Sequence, residues 1–149
     1  MAHYLQQETG AFHLLTGSDF TTSLQTLSAV ISSDILSTGS ATFPVGPTVT
    51  LGSTGTWLVN ATLCYVDTAA AKNVQCIIGD GNVVYASAAG SVSANNTWGC
   101  TSMSAIVVST SASIFASARV SGGSATFSMV ANKSNFGLDT SITAVRLVG

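Results

Sequence analysis

The chain has 149 residues, 46% of them hydrophobic and only 7% charged, with a net charge of −2. That is one domain's worth of chain with ample apolar material, which excludes charge-driven disorder. Four Lys and Arg cannot neutralise a run of phosphates, so nucleic acid is excluded as a partner. A membrane span is excluded too, because Ser, Thr, Asn or Gly interrupts every apolar run well short of the ~18 residues needed.

Residues 1 to 22 carry both histidines, His3 and His13, and show little alternation. They read as a short irregular N-terminal arm, an anchor that takes its order from a partner surface, ahead of a domain over residues 23–149. The run Ala11 to Leu15 is too short for a signal peptide and no basic stretch precedes it, so synthesis and assembly in a cytoplasm are expected. Leu24, Leu27, Val30 and Ile31 have helical spacing, but their Ser/Thr-rich and β-branched filling suits a strand. Thr48 to Leu51 reads as a short strand ended by Gly52-Ser53-Thr54-Gly55.

The strongest signal follows. Trp57, Val59, Ala61, Leu63 and Tyr65 alternate with Leu58, Asn60, Thr62, Cys64 and Val66, the period of two that puts successive side chains on opposite faces of a strand. Val74 to Ile78, the turn Gly79-Asp80-Gly81-Asn82 and Val83 to Ala86 form a hairpin signal. Met103 to Val108, Ser111 to Val120, Ala125 to Val130 after Gly122-Gly123, and Ser141 to Val148 complete the set. Many short strands with regular turn signals and no internal repeat mean an all-β sandwich or barrel.

Ile35 to Val66 and Gly81 to Ala118 hold no charged residue, and the whole chain has two Pro. A free monomer usually guards its surface and sheet edges with charge or Pro. The composition therefore points to a surface covered by further copies or a larger assembly, against the plainer reading of a monomer kept soluble by hydroxyls.

Three cysteines at 64, 76 and 100 lack any zinc or redox spacing. If the strands around Cys64 and Cys76 form a hairpin centred on Ala70, the two face each other at the ~4.5–5.5 Å Cα spacing of opposed residues. They are then a disulfide or two small buried thiols. Cys100, in the Gly-flanked loop Trp98-Gly99-Cys100, is a candidate inter-chain thiol. Tyr65, Tyr85, Phe115 and Phe127 are candidates for the core or a subunit interface.

Catalysis has little support. Both histidines lie in the arm, the six acids form no local pair, and Asp80-Gly81-Asn82 lacks the rest of a calcium loop. Asp80 reads as a turn residue, and no metal, cofactor or enzymatic activity is expected. Arg146 shares a strand face with Ile142, Ala144 and Val148, where Asp139, Asp67 or main-chain carbonyls would partner it.

Three segments carry a resemblance. Gly55-Thr56-Trp57-Leu58-Val59-Asn60-Ala61 resembles the Gly-aromatic-x-Val strand of trimeric jelly rolls of the tumour-necrosis-factor and complement globular-head type. Val74-Gln75-Cys76-Ile77-Ile78-Gly79-Asp80-Gly81 is similar to the next strand and turn. Ser141-Ile142-Thr143-Ala144-Val145-Arg146-Leu147-Val148-Gly149 resembles the terminal strand of such domains in tailed-phage virion proteins. The likeness spans roughly residues 24 to 149. It implies an antiparallel jelly-roll β-sandwich, TNF-like, that forms a homotrimer. It further implies a virion role as a head, neck or tail decoration, held to other virion proteins through the arm. The alternative it leaves open is a receptor-binding tip of a fibre. Trp98 beside Asn95 and Asn96 would then be the candidate glycan contact, with Tyr85 as a second aromatic.

Overall fold

The computed structural model of the chain describes residues 4–6, 12–14, 25–37, 42–69, 72–93, 97–109, 112–120, 126–131 and 139–148. Every element among them is a strand. In chain order these are β1 (Tyr4–Gln6), β2 (Phe12–Leu14), β3 (Thr26–Val30), β4 (Ile35–Leu36), β5 (Thr48–Thr50) and β6 (Gly55–Asp67). They continue as β7 (Lys72–Gly79), β8 (Val84–Val92), β9 (Thr97–Ser109), β10 (Ser113–Val120), β11 (Phe127–Met129) and β12 (Ser141–Val148).

Two antiparallel sheets face each other. One has the order β5-β10-β7-β8. The other runs β3-β12-β6, with β9 along the free side of β6 and β11 then β4 extending its far half. Of the links between β5 and β10, only β7 to β8 joins neighbours in one sheet, while the others cross between layers. That is the jelly-roll arrangement the resemblance implies, and the all-β sandwich expected from the strand pattern holds.

β6 organises the larger sheet because its alternation is nearly complete. Trp57, Val59, Ala61, Leu63 and Tyr65 are all at most 3% exposed and point between the sheets. Opposite them pack Val74, Cys76 and Ile78 of β7 and Ile114, Ala116, Ala118 and Val120 of β10. Each large aliphatic chain buried there contributes about 1.5–3 kcal/mol relative to exposure. Both edges of β6 are occupied: β9 pairs along its whole length, β12 along residues 56–62 and β11 along 65–67. Where β12 hands over to β11, the hydroxyl of Thr140 accepts from the Cys64 N–H at 3.1 Å and donates to the Cys64 carbonyl at 3.0 Å. A buried break in the ladder is thereby satisfied.

Several expectations need correction. The arm is not wholly irregular, since Tyr4–Gln6 pairs antiparallel with Phe12–Leu14 as a separate two-stranded sheet. The remainder of residues 1–22, His3 included, lies outside the described residues. Trp98-Gly99-Cys100 is not a loop but the first part of β9. Gly99 permits this, because a Cβ there would come within 2.5 Å of the Tyr65 ring and 2.9 Å of the Ser91 carbonyl. Likewise β8 runs on to Val92 rather than ending at Ala86.

Candidate functional site

The outward face of the larger sheet is built from the positions that alternate with the core. Reading across β12, β6 and β9, Val145, Leu58 and Ile106 form one row, followed by Thr143, Asn60 and Ser104, then Ser141, Thr62 and Ser102. Asn60 accepts from Ser104 at 2.7 Å, and Thr62 and Ser102 share a hydrogen bond of 3.1 Å. A polar stripe thus separates two apolar ends. At one end Ile106 and Val108 are 58% and 78% exposed, with Leu147 at 48%. At the other, Val66 lies between Trp98 and Ser128, with Leu36 next to Ser128 on the far side. None of the described residues facing outward on this sheet is charged, although soluble surfaces are normally rich in charge.

The cysteines sit on and behind this face. Cys64 and Cys100 are directly opposed across β6 and β9, 4.2 Å apart at Cα, and form a disulfide. This overturns two expectations. The Cys64–Cys76 pairing fails because both edges of β6 are taken, so β7 enters the opposite sheet and turns Cys76 into the core as a free, fully buried thiol. Cys100 is not an inter-chain thiol, because the β9 register places it against Cys64 of its own chain. Burial, its main perturbation, pushes the Cys76 thiol up to about 11.

Tyr65 and Phe127 are core residues with ring centroids 5.8 Å apart. The Tyr65 hydroxyl shares a 2.7 Å hydrogen bond with Thr101, and burial raises its pKa above the ordinary phenol value. A Cβ on Gly90 would land on that hydroxyl. Tyr85 and Phe115 do not join the deep core. Tyr85 donates its hydroxyl to Asp80 at 2.7 Å. The same carboxylate accepts from the Asn82 and Val83 amides, both at 2.8 Å. These bonds, that from Tyr85 first, hold the Asp80 carboxyl below its usual range. Asp80 is thus a turn residue as expected.

Phe115 faces outward on the smaller sheet, where the segment Thr42–Pro47 lies across β10. Ser117 donates to the Pro44 carbonyl and the Arg119 guanidinium stacks 4.2 Å from the Phe43 ring centre. Beside this strap opens a groove of about 370 Å³ lined by Phe43, Val45, Ile77, Val83, Val84 and Phe115. Sequence reading missed it, because no local pattern announces that Phe43 folds back over a strand more than seventy residues later.

Trp98 is 36% exposed, while Asn95 and Asn96, its expected companions, lie outside the described residues. Arg146 donates to the Thr54 carbonyl at 2.6 Å, the carbonyl alternative rather than Asp139 or Asp67. Among the described residues, no group of three or more His, Cys, Asp or Glu side chains converges as a metal site would require, and no helix is long and apolar enough to cross a membrane.

No family model matches the chain, and no curated protein matches its sequence. Solved structures do share its shape. Eiger TNF from S. frugiperda is similar at 11% identity and TM-score 0.54, over 83% of this chain and 92% of that one. A chain of infectious bursal disease virus Gx strain gives 10% identity and TM-score 0.47 over 97% of this chain, which spans only 42% of the viral one. The C-terminal CBM6 of LamC, a laminarinase from Zobellia galactanivorans, gives 12% identity and TM-score 0.35, over 82% and 100%. Only the first exceeds 0.5, and at its level of identity it speaks to the fold alone: a TNF-like jelly roll.

Proposed function

We propose that this chain is a non-enzymatic structural protein of a bacteriophage virion, a homotrimeric jelly-roll decoration of the head, neck or tail attached through residues 1–22. The observation that carries the reading is the uncharged outer face of the larger sheet, with Ile106, Val108 and Leu147 about half exposed or more. Burying the apolar end of that face, at Ile106, Val108 and Leu147, against identical neighbours gains apolar area without stripping water from any charge. The chain's 7% of charged residues suits a molecule whose surface is largely covered, and the resemblance of its segments to phage virion domains supplies the setting.

Light scattering on the purified protein tests the assembly. A trimer gives about 45 kDa, three times the 15.0 kDa chain, and Ile106→Asp with Val108→Asp reduces it to one chain. A parent protein of 15 kDa overturns the trimer, and the receptor-binding tip, with Trp98 as its contact, becomes the better reading. For the anchor, removal of residues 1–20 leaves a folded trimer that no longer joins particles. Normal incorporation of the truncated chain refutes that role.

A further inference from the structure

The Cys64–Cys100 disulfide is sharply asymmetric in what surrounds its two sulfurs. Cys64 is 2% exposed. Its main chain is clamped by Thr140 and by the Val130 amide, and the Asp139 carbonyl lies 3.9 Å from its sulfur. Cys100 is exposed, on a strand whose one ladder partner among the described residues is β6.

Thiol–disulfide exchange proceeds in line, with the attacking, central and leaving sulfurs close to one axis. Attack on Cys64 would have to come from the side of β6 occupied by Asp139, Thr140 and Val130. Cys100 is instead exposed on the outward side of β9, and among the described residues no strand but β6 pairs with β9.

We propose that Cys100 is a thiol-exchange site, at which an external low-molecular-weight thiol opens the bond and forms a mixed disulfide while Cys64 leaves. The incoming thiolate bonds to the Cys100 sulfur, and the electron pair of the broken S–S bond goes to the Cys64 sulfur. The proton given up by the incoming thiol returns, through water, to Cys64. One thiol and one disulfide become one mixed disulfide and one thiol, with no oxidant required. The Asp139 carbonyl is placed to accept a weak S–H hydrogen bond from the released Cys64. Because Cys64 stays beside the mixed disulfide, it reverses the modification when the external thiol is withdrawn. The site is six residues from Ile106, about 20 Å along the strand, and is therefore separate from the apolar end proposed to join copies.

The test uses the whole folded chain incubated with reduced glutathione, acid-quenched, alkylated and mapped by mass spectrometry. The expected adduct is glutathione on Cys100, with Cys64 recovered as an alkylated thiol and Cys76 untouched. Glutathione on Cys64, or no opening until denaturant is added, overturns the proposal. As a second measurement, the Cys100 thiol of Cys64→Ala should react with oxidised glutathione about tenfold faster or more than the Cys64 thiol of Cys100→Ala, in line with their exposure. Equal rates in folded variants refute it. Should either variant fail to fold, the adduct position on the parent chain still decides.

Discussion

Replacing both Cys64 and Cys100 by Ala removes a cross-link between residues 36 apart in sequence. In the chain-entropy description, closing a loop of that length lowers the entropy of the unfolded chain enough to contribute about 4 kcal/mol at 25 °C. The folded state loses little in exchange, because thirteen residue pairs still join β6 to β9. Urea denaturation of the parent and the double variant, followed by circular dichroism, measures the difference. The expected result is a drop of about 3–4 kcal/mol, with a steeper denaturant dependence because the uncrosslinked chain unfolds to a more open ensemble. Cys76→Ala is the control that leaves the bond intact. A double variant as stable as its parent would refute the pairing of Cys64 with Cys100.

Thr140→Val leaves the buried Cys64 N–H without its 3.1 Å acceptor. It should cost about 1–3 kcal/mol by urea melt, whereas Thr140→Ser should restore most of that. Gly90→Ala drives a methyl into the Tyr65 hydroxyl and to within 2.6 Å of the Thr101 hydroxyl. A loss of about 1–3 kcal/mol is expected, partly relieved when Tyr65→Phe is added, and simple additivity of the two changes would count against the contact. The Cys76 thiol titrates near 9.0 when unfolded and about 11 when folded, so the folded state holds its proton longer. Stability is therefore complete below pH 9 and falls as pH rises from 9 to 11. Tyr65, also raised, adds to the fall at the upper end. Denaturant melts across this range should show a shallower decline for Cys76→Ala than for the parent, and an identical decline would contradict the assignment.

Much of the fold was legible locally. The ten-residue alternation from Trp57 specifies which face of β6 is buried, because side chains on a strand point to opposite faces with period two. The Asp80-Gly81 turn likewise fixes the β7–β8 hairpin through bonds to residues two, three and five positions away. The paucity of charge, visible in composition alone, reappears as an uncharged sheet face.

What local pattern could not supply was the partner of each strand. Nothing in β6 or β7 says that the short connection between them crosses to the opposite sheet, so the apparent mirror of Cys64 and Cys76 about Ala70 misled. Strand pairing is settled by which edges remain open once the whole sandwich forms, and both edges of β6 are filled by segments distant in sequence. The same long-range competition placed Cys100 opposite Cys64 and laid Phe43 across β10. By itself the sequence determined which residues of β6 face inward and where the β7–β8 hairpin turns, since those depend on neighbours a few positions away. Only the tertiary structure decided which cysteines meet, which aromatics reach the core and which face is left uncovered, because each depends on contacts between segments thirty-six or more residues apart.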